Sequence, residues 1–122
     1  MTEFGVVMEG SPGYTAPLAA QLEDMGFDIL LCPDTQNLSP EPFSQLALAA
    51  HSTRRMKLGT WVTNPVTRDP AVLASAFATL QVESNGRAIC GLGRGDSSAA
   101  HAGIKNATTA QLRTCVGSVR CV

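Results

Sequence analysis

The sequence predicts an α/β fold built on a parallel sheet, and three observations carry that reading. Four short apolar runs, at residues 4–8, 27–32, 56–62 and 87–92, are continuous rather than alternating, as strands covered on both faces are. Longer stretches with helical spacing separate them, and each opens on a capping side chain with a proline in its first turn. The runs also recur at the spacing of one strand-plus-helix unit, which implies right-handed parallel crossovers. The strands are expected to pair in chain order, with the helices on one outer face.

The elements follow in turn. The first run, at 4–8, comes directly after Met1-Thr2-Glu3, and it is too short and its flank too acidic for a secretory signal. The first helix is expected to start with Thr15 as N-cap and Pro17 in the first turn. Leu18, Leu22 and Met25 mark one face, and Gly26 closes the helix as a left-handed cap. After the second strand, Ser39 and Pro40 open a helix whose buried stripe is Phe43, Leu46, Ala47 and Ala50. After the third, Asp69 and Pro70 open another, with Val72, Leu73, Ala76, Phe77 and Leu80 inward and Asn85-Gly86 as the closing turn. A last helix begins near Thr108, with Leu112, Val116 and Val119 on one face.

Composition narrows the function classes. A chain of 122 residues is one domain at most, here 1–122. The net charge of −1, with no block of like charges, argues against nucleic acid and against a charged membrane surface as partners. No apolar run approaches the length of a membrane-spanning helix. Cys32, Cys90, Cys115 and Cys121 form no Cys-x-x-Cys pair, and His51 and His101 lie far apart. No metal is therefore expected, and a reducing, cytoplasmic setting fits the free thiols.

Two polar loops stand out. Gly91-Leu92-Gly93-Arg94-Gly95-Asp96-Ser97-Ser98 follows the fourth run, and Thr63-Asn64-Pro65-Val66-Thr67-Arg68-Asp69-Pro70 follows the third. Glycines at a strand end let backbone approach a ligand, and Asp96, Ser97 and Ser98 supply polar groups there. Loops at the ends of successive parallel strands share one side of the sheet, so Glu9, Asp34, Asn64, Asp96 and Ser97 are expected to converge. The glycine spacing is not the dinucleotide fingerprint, because position 96 is Asp. Plainer readings stand beside these. Glu9 is equally a solvated loop carboxylate, Asp34 an Asx-turn residue, Asp69 a helix cap, Arg68 a surface or ion-pair residue, and Trp61 core. Arg94-Gly95-Asp96 and Asn106-Ala107-Thr108 match adhesion and glycosylation patterns that a cytoplasmic chain does not use.

Four motifs in order carry a resemblance. Residues 23–28 (Glu-Asp-Met-Gly-Phe-Asp), 58–65 (Leu-Gly-Thr-Trp-Val-Thr-Asn-Pro), 67–71 (Thr-Arg-Asp-Pro-Ala) and 86–98 resemble the bacterial-luciferase-like monooxygenase family. Within it they are most similar to the deazaflavin-dependent branch typified by methylenetetrahydromethanopterin reductase. The match runs from about Phe4 to Val119. The resemblance implies a TIM (β/α)8 barrel, of which this chain resembles the first four βα units, a half-barrel. It also implies hydride transfer between a small-molecule substrate and coenzyme F-420 or FMN, bound at the strands' C-terminal ends, and a non-prolyl cis peptide near Trp61-Val62.

Carried over by position, Thr60, Trp61, Val62, Thr63 and Asn64 would lie against the cofactor ring. Gly93, Gly95, Asp96, Ser97 and Ser98 would line its mouth. Glu9 and Asp96 are the catalytic candidates, with Asp34 on the substrate side. The loops that often hold phosphate follow barrel strands seven and eight, so cofactor affinity of this chain alone is expected to be weak. One alternative is an FMN-dependent monooxygenase of the same family. Another is a non-catalytic half-barrel that self-associates through Leu30, Leu58, Val62 and Ile89, residues taken to face the other half.

Overall fold

Four parallel strands pair in chain order, β1-β2-β3-β4. The computed structural model describes residues 1–121. The strands are β1 (Gly5–Val7), β2 (Ile29–Cys32), β3 (Lys57–Thr60) and β4 (Ala88–Ile89). Between them run α1 (Thr15–Asp24), α2 (Pro42–Ser52) and α3 (Pro70–Glu83), and after β4 come α4 (Asp96–His101) and α5 (Thr109–Arg120).

The register sorts the strand side chains onto two faces. Val6 pairs with Leu30, Leu30 with Leu58, and Leu58 with Ala88. That row packs under the helices in one cluster with Ala19, Leu46, Ala49, Ala50, Met56 and Leu80. The next row holds Val7, Leu31, Gly59 and Ile89, and alternation along each strand turns it to the opposite face. There Val7 is 50% exposed. Leu30 and Leu58, expected to face a missing half, are instead fully buried beneath the helices. The strands are apolar on both faces, so their pattern does not say which row faces which way.

The caps were partly misread. Thr15 is the first residue inside α1, not its cap; Tyr14 holds the cap position with no side-chain hydrogen bond. The Thr15 hydroxyl is buried and donates to Gln45 Oε1 at 2.7 Å. The buried face of α1 is Thr15, Ala19 and Glu23, while Met25 is 74% exposed. The next helix, α2, starts a little later than expected. Glu41 caps it by accepting from the Phe43 and Ser44 amides, with Pro42 first in the helix. Ser39 instead closes a turn on Thr35. In α3 the expected start holds, Asp69 Oδ1 accepting from the Ala71 amide at 2.8 Å. Its closing turn places Asn85 and Gly86 at φ 54° and 84°. Val72 is exposed rather than inward. The start of α5 is a capping box of Thr108 and Gln111. Its buried residue is Cys115, which joins Leu73 and Phe77 of α3, whereas Val116 is exposed.

The N-terminal edge of the sheet is held by two charged side chains. Buried Glu23 accepts hydrogen bonds from the Arg54, Arg55 and Met56 amides, the last at 2.7 Å. Burial pushes its carboxyl up, but those three donors outweigh burial and hold it below the usual glutamate range. The Arg87 guanidinium donates to the carbonyls of Ala50, Thr53, Met56 and Ser84. It thereby satisfies the open end of α2 and joins it to the end of α3.

Candidate functional site

The opposite, C-terminal edge carries an open cavity of about 290 Å³. Strand β3 enters it through the Trp61–Val62 peptide bond, which is cis. Pairing resumes beyond that bond: the Thr63 amide donates to Gly91 O at 3.0 Å, and the Gly93 amide to Thr63 O at 2.9 Å. Trp61 and Val62 stand on the cavity wall, and Trp61 is 58% exposed.

The glycines of the fourth loop also have a task within the fold. A Cβ on Gly91 would strike the Thr60 carbonyl, one on Gly93 would lie 2.6 Å from Val62 Cγ2, and one on Gly95 2.6 Å from Asn64 Cγ. The close approach they permit is to the neighbouring β3 segment. Gly95 also sits at φ 83°, where any other residue is strained.

Asp34, Trp61, Val62, Gly93, Gly95, Asp96, Ser97 and Ser98 line the cavity together, with Thr35 and Arg94 beside them. Thr60, Thr63 and Asn64 are fully buried and stand behind that wall. The Thr60 hydroxyl donates to Gly91 O at 2.7 Å. Asn64 Nδ2 donates to Ser98 Oγ at 2.8 Å, and its Oδ1 accepts from the Val66 and Thr67 amides. These three side chains shape the wall and present no surface to a ligand.

Asp34 is 2% exposed, and both of its oxygens are doubly engaged. Oδ1 accepts from Gln36 Nε2 at 2.6 Å and Arg68 Nη2 at 3.0 Å. Oδ2 accepts from Thr63 Oγ1 at 2.6 Å and Arg68 Nε at 2.7 Å. Arg68 reaches on to Glu41 Oε1 at 2.9 Å and lies over the Phe43 ring. Hydrogen bonding to Asp34 holds its guanidinium firmly in the charged form despite desolvation. With four donors on its two oxygens, this carboxylate is committed to holding the segments around it.

Asp96 is the first residue of α4, a short helix the sequence reading left as loop. It is exposed and accepts from Asn106 Nδ2. Ser97 is exposed, while Ser98 is buried against Asn64. Glu9 follows β1 on the same edge of the sheet but is exposed and not part of the cavity wall. All five residues thus lie on one edge of the sheet; Asp34, Asp96 and Ser97 line the cavity, Asn64 reaches it through Ser98, and Glu9 stands outside its wall. Arg94 and the Asp34–Arg68 pair were missed as site features. The sequence offered Arg68 only as a member of the second polar loop and of the 67–71 motif, with an ion pair as its plain reading and no partner indicated.

All four cysteines are free, and burial pushes the Cys32 thiol up to about 11. Among the described residues, no group of three or more His, Cys, Asp or Glu side chains is placed to hold a metal, and no helix is long and apolar enough to cross a membrane.

Residues 2–120 match the model of the family described as luciferase-like monooxygenase. The chain belongs to that family. Among curated relatives, the 5,10-methylenetetrahydromethanopterin reductase of Methanopyrus kandleri is 42% identical over 96 residues, covering 76% of this chain and 27% of the relative. The solved structure of the coenzyme F420 dependent tetrahydromethanopterin reductase from that organism superposes with a TM-score of 0.78 at 37% identity, over 84% of this chain and 30% of that one. The oxygenating constituent of 3,6-diketocamphane monooxygenase from Pseudomonas putida, solved in complex with FMN, matches in fold, with a TM-score of 0.77 at 23% identity, over 96% of this chain and 38% of that one. Relatives of this chain thus include F420-dependent enzymes, the reductase above and F420-dependent glucose-6-phosphate dehydrogenases. This chain spans about a quarter of the length of the curated relatives it matches.

Proposed function

We propose that this chain forms the first four βα units of a luciferase-like barrel, residues 1–122, and that its cavity receives the ring end of coenzyme F-420 in a hydride-transferring oxidoreductase. The observation that carries the reading is the cavity's two-sided chemistry. Trp61 and Val62 supply an apolar wall, and Ser97, Asp96 and the backbone of 93–96 supply a polar rim. A flat, polar-edged ring suits such a site. The similarity to F420-dependent reductases favours the deazaflavin over FMN.

The residues fit the ring and offer little for an anionic tail. Arg94 is the single basic side chain on the cavity wall among the described residues, and its Nε already donates to Ala107 O. The cofactor, when bound, would supply the hydride-carrying carbon. The chain's own contribution is positional. Trp61 and Val62 would press one ring face and exclude water from it. Ser97 would bond a ring edge, and Asp96, on the cavity wall and bonded to Asn106, would be the catalytic carboxylate on the substrate side. Glu9 would serve from outside the cavity wall. Thr60, Thr63, Asn64 and Ser98 would act through the wall they support.

The second reading, self-association, rests on the uncovered sheet face. Val7, Ile29, Leu31 and Ile89 are apolar and only partly buried or exposed, and among the described residues β1 and β4 each have one unpaired edge. The free thiols suit a reducing, cytoplasmic setting.

Trp61 is the sole tryptophan, so titration with F-420 and with FMN can be followed by its fluorescence. Quenching by F-420 at lower concentration than by FMN is the expected result. Quenching by neither, or equal quenching after Trp61 is replaced by Phe and read from the ligand's own emission, would reject the ring site. Sedimentation decides self-association, and a sharply melting monomer would reject it.

A further inference from the structure

We propose that Arg68 is a positioning residue for the cavity: through Asp34 it locks the loop after β2 and the loop after β3 into one wall. Three links make the lock. Arg68 grips Asp34 with two parallel hydrogen bonds, at 2.7 and 3.0 Å. Asp34 in turn holds the Thr63 hydroxyl at 2.6 Å, and Thr63 exchanges backbone hydrogen bonds with Gly91 and Gly93. Arg68 also holds Glu41, the cap of α2, and covers Phe43. The pair thus joins the segments after β2, β3 and β4, all three of which supply cavity-lining residues. A guanidinium is needed because its planar fork meets both carboxylate oxygens at once, and a lysine ammonium offers only a point charge. The lock itself needs no ligand. Its consequence for ring binding rests on the function proposed above.

Amide hydrogen exchange on the whole chain separates a local lock from general stability. In Arg68→Met, which keeps an apolar stem on Phe43, exchange at the Thr63 and Gly93 amides is expected to rise at least about tenfold, as the two hydrogen bonds to Asp34 and the one to Glu41 are lost. Exchange at Leu30 and Leu58, inside the sheet, should stay within about twofold. Arg68→Lys should recover part of the protection, and Asp34→Asn combined with Arg68→Met should add nothing further. Thr63→Val, which removes one hydrogen bond, gives a milder test should Arg68→Met fail to fold; it should loosen the amides of residue 63 and Gly93 and leave Leu30 and Leu58 unchanged. Equal acceleration at Leu30 and Leu58 would make Arg68 a general pillar and overturn the proposal, as would unchanged exchange at Thr63 and Gly93. An FMN or F-420 titration of wild type and Arg68→Met adds the second readout. If wild type binds neither, the ring-site reading fails while the exchange data still decide the lock.

Discussion

The two ends of the sheet each bury a carboxylate beside an arginine, and they use them differently. At the N-terminal edge Glu23 meets backbone amides, and Arg87 meets backbone carbonyls. Their charges complete the open ends of secondary structure, and neither lines a cavity at that edge. At the C-terminal edge Asp34 and Arg68 meet side chains and each other, and Asp34 forms part of the cavity wall. Charge satisfied by backbone ties together the ends of helices and strands; charge satisfied by side chains ties one loop to another. This division matches the rule for βα barrels, in which the strand N-terminal end carries stability and the C-terminal end carries chemistry.

The contrast can be broken from the N-terminal side first. Glu23→Ala removes the acceptor of three amides, the Met56 amide buried among them, and should cost about 3 kcal/mol of global stability, read as a lower denaturant midpoint. A loss confined to loop amides would contradict the comparison. The same residue sets an acid dependence. Its folded-state carboxyl lies below the ordinary value of 4.5, so its contribution is complete above that value and fades as the pH falls through the folded-state value. Glu23→Gln should therefore flatten the acid limb of a stability–pH curve; an unchanged limb assigns acid sensitivity elsewhere.

Arg87→Met should cost somewhat less, about 2 kcal/mol, because some of the released carbonyls can reach water. Gly95→Ala acts on the other end. The new methyl meets Asn64 at a strained φ, and a loss of about 1–2 kcal/mol is expected together with a distorted cavity. If melting falls but Trp61 fluorescence does not shift, the loop has absorbed the strain without moving the wall. Smallest of all, Ser97→Ala should leave stability unchanged within about 0.5 kcal/mol, since Ser97 is exposed. A weaker ring affinity in that variant would sharpen its assignment to the rim.

The strands and their order were legible because each is a short apolar run between helices, and a parallel crossover leaves few topologies. The start of α3 was legible because Asp69-Pro70 is a strong local signal. The starts of α1 and α2 were not, because Thr15 and Ser39 are capping residue types whose hydroxyls found partners elsewhere: Gln45 on α2 for Thr15, Thr35 for Ser39. The cavity wall was legible at its ends, in Trp61, Val62 and the 93–98 loop. Its support was not, since Arg68 and Asp34 lie 34 positions apart in sequence.

Local chemistry was enough to specify the βα repeat, the glycine-rich fourth loop and the family, because each depends on neighbouring residues or on motifs in order. Only the tertiary structure decided which strand row faces the helices, that the glycines make room for the β3 segment, and that Asp34 is held by Arg68. Those facts depend on what a side chain meets across the sheet, and a strand apolar on both faces carries no local mark of its partner.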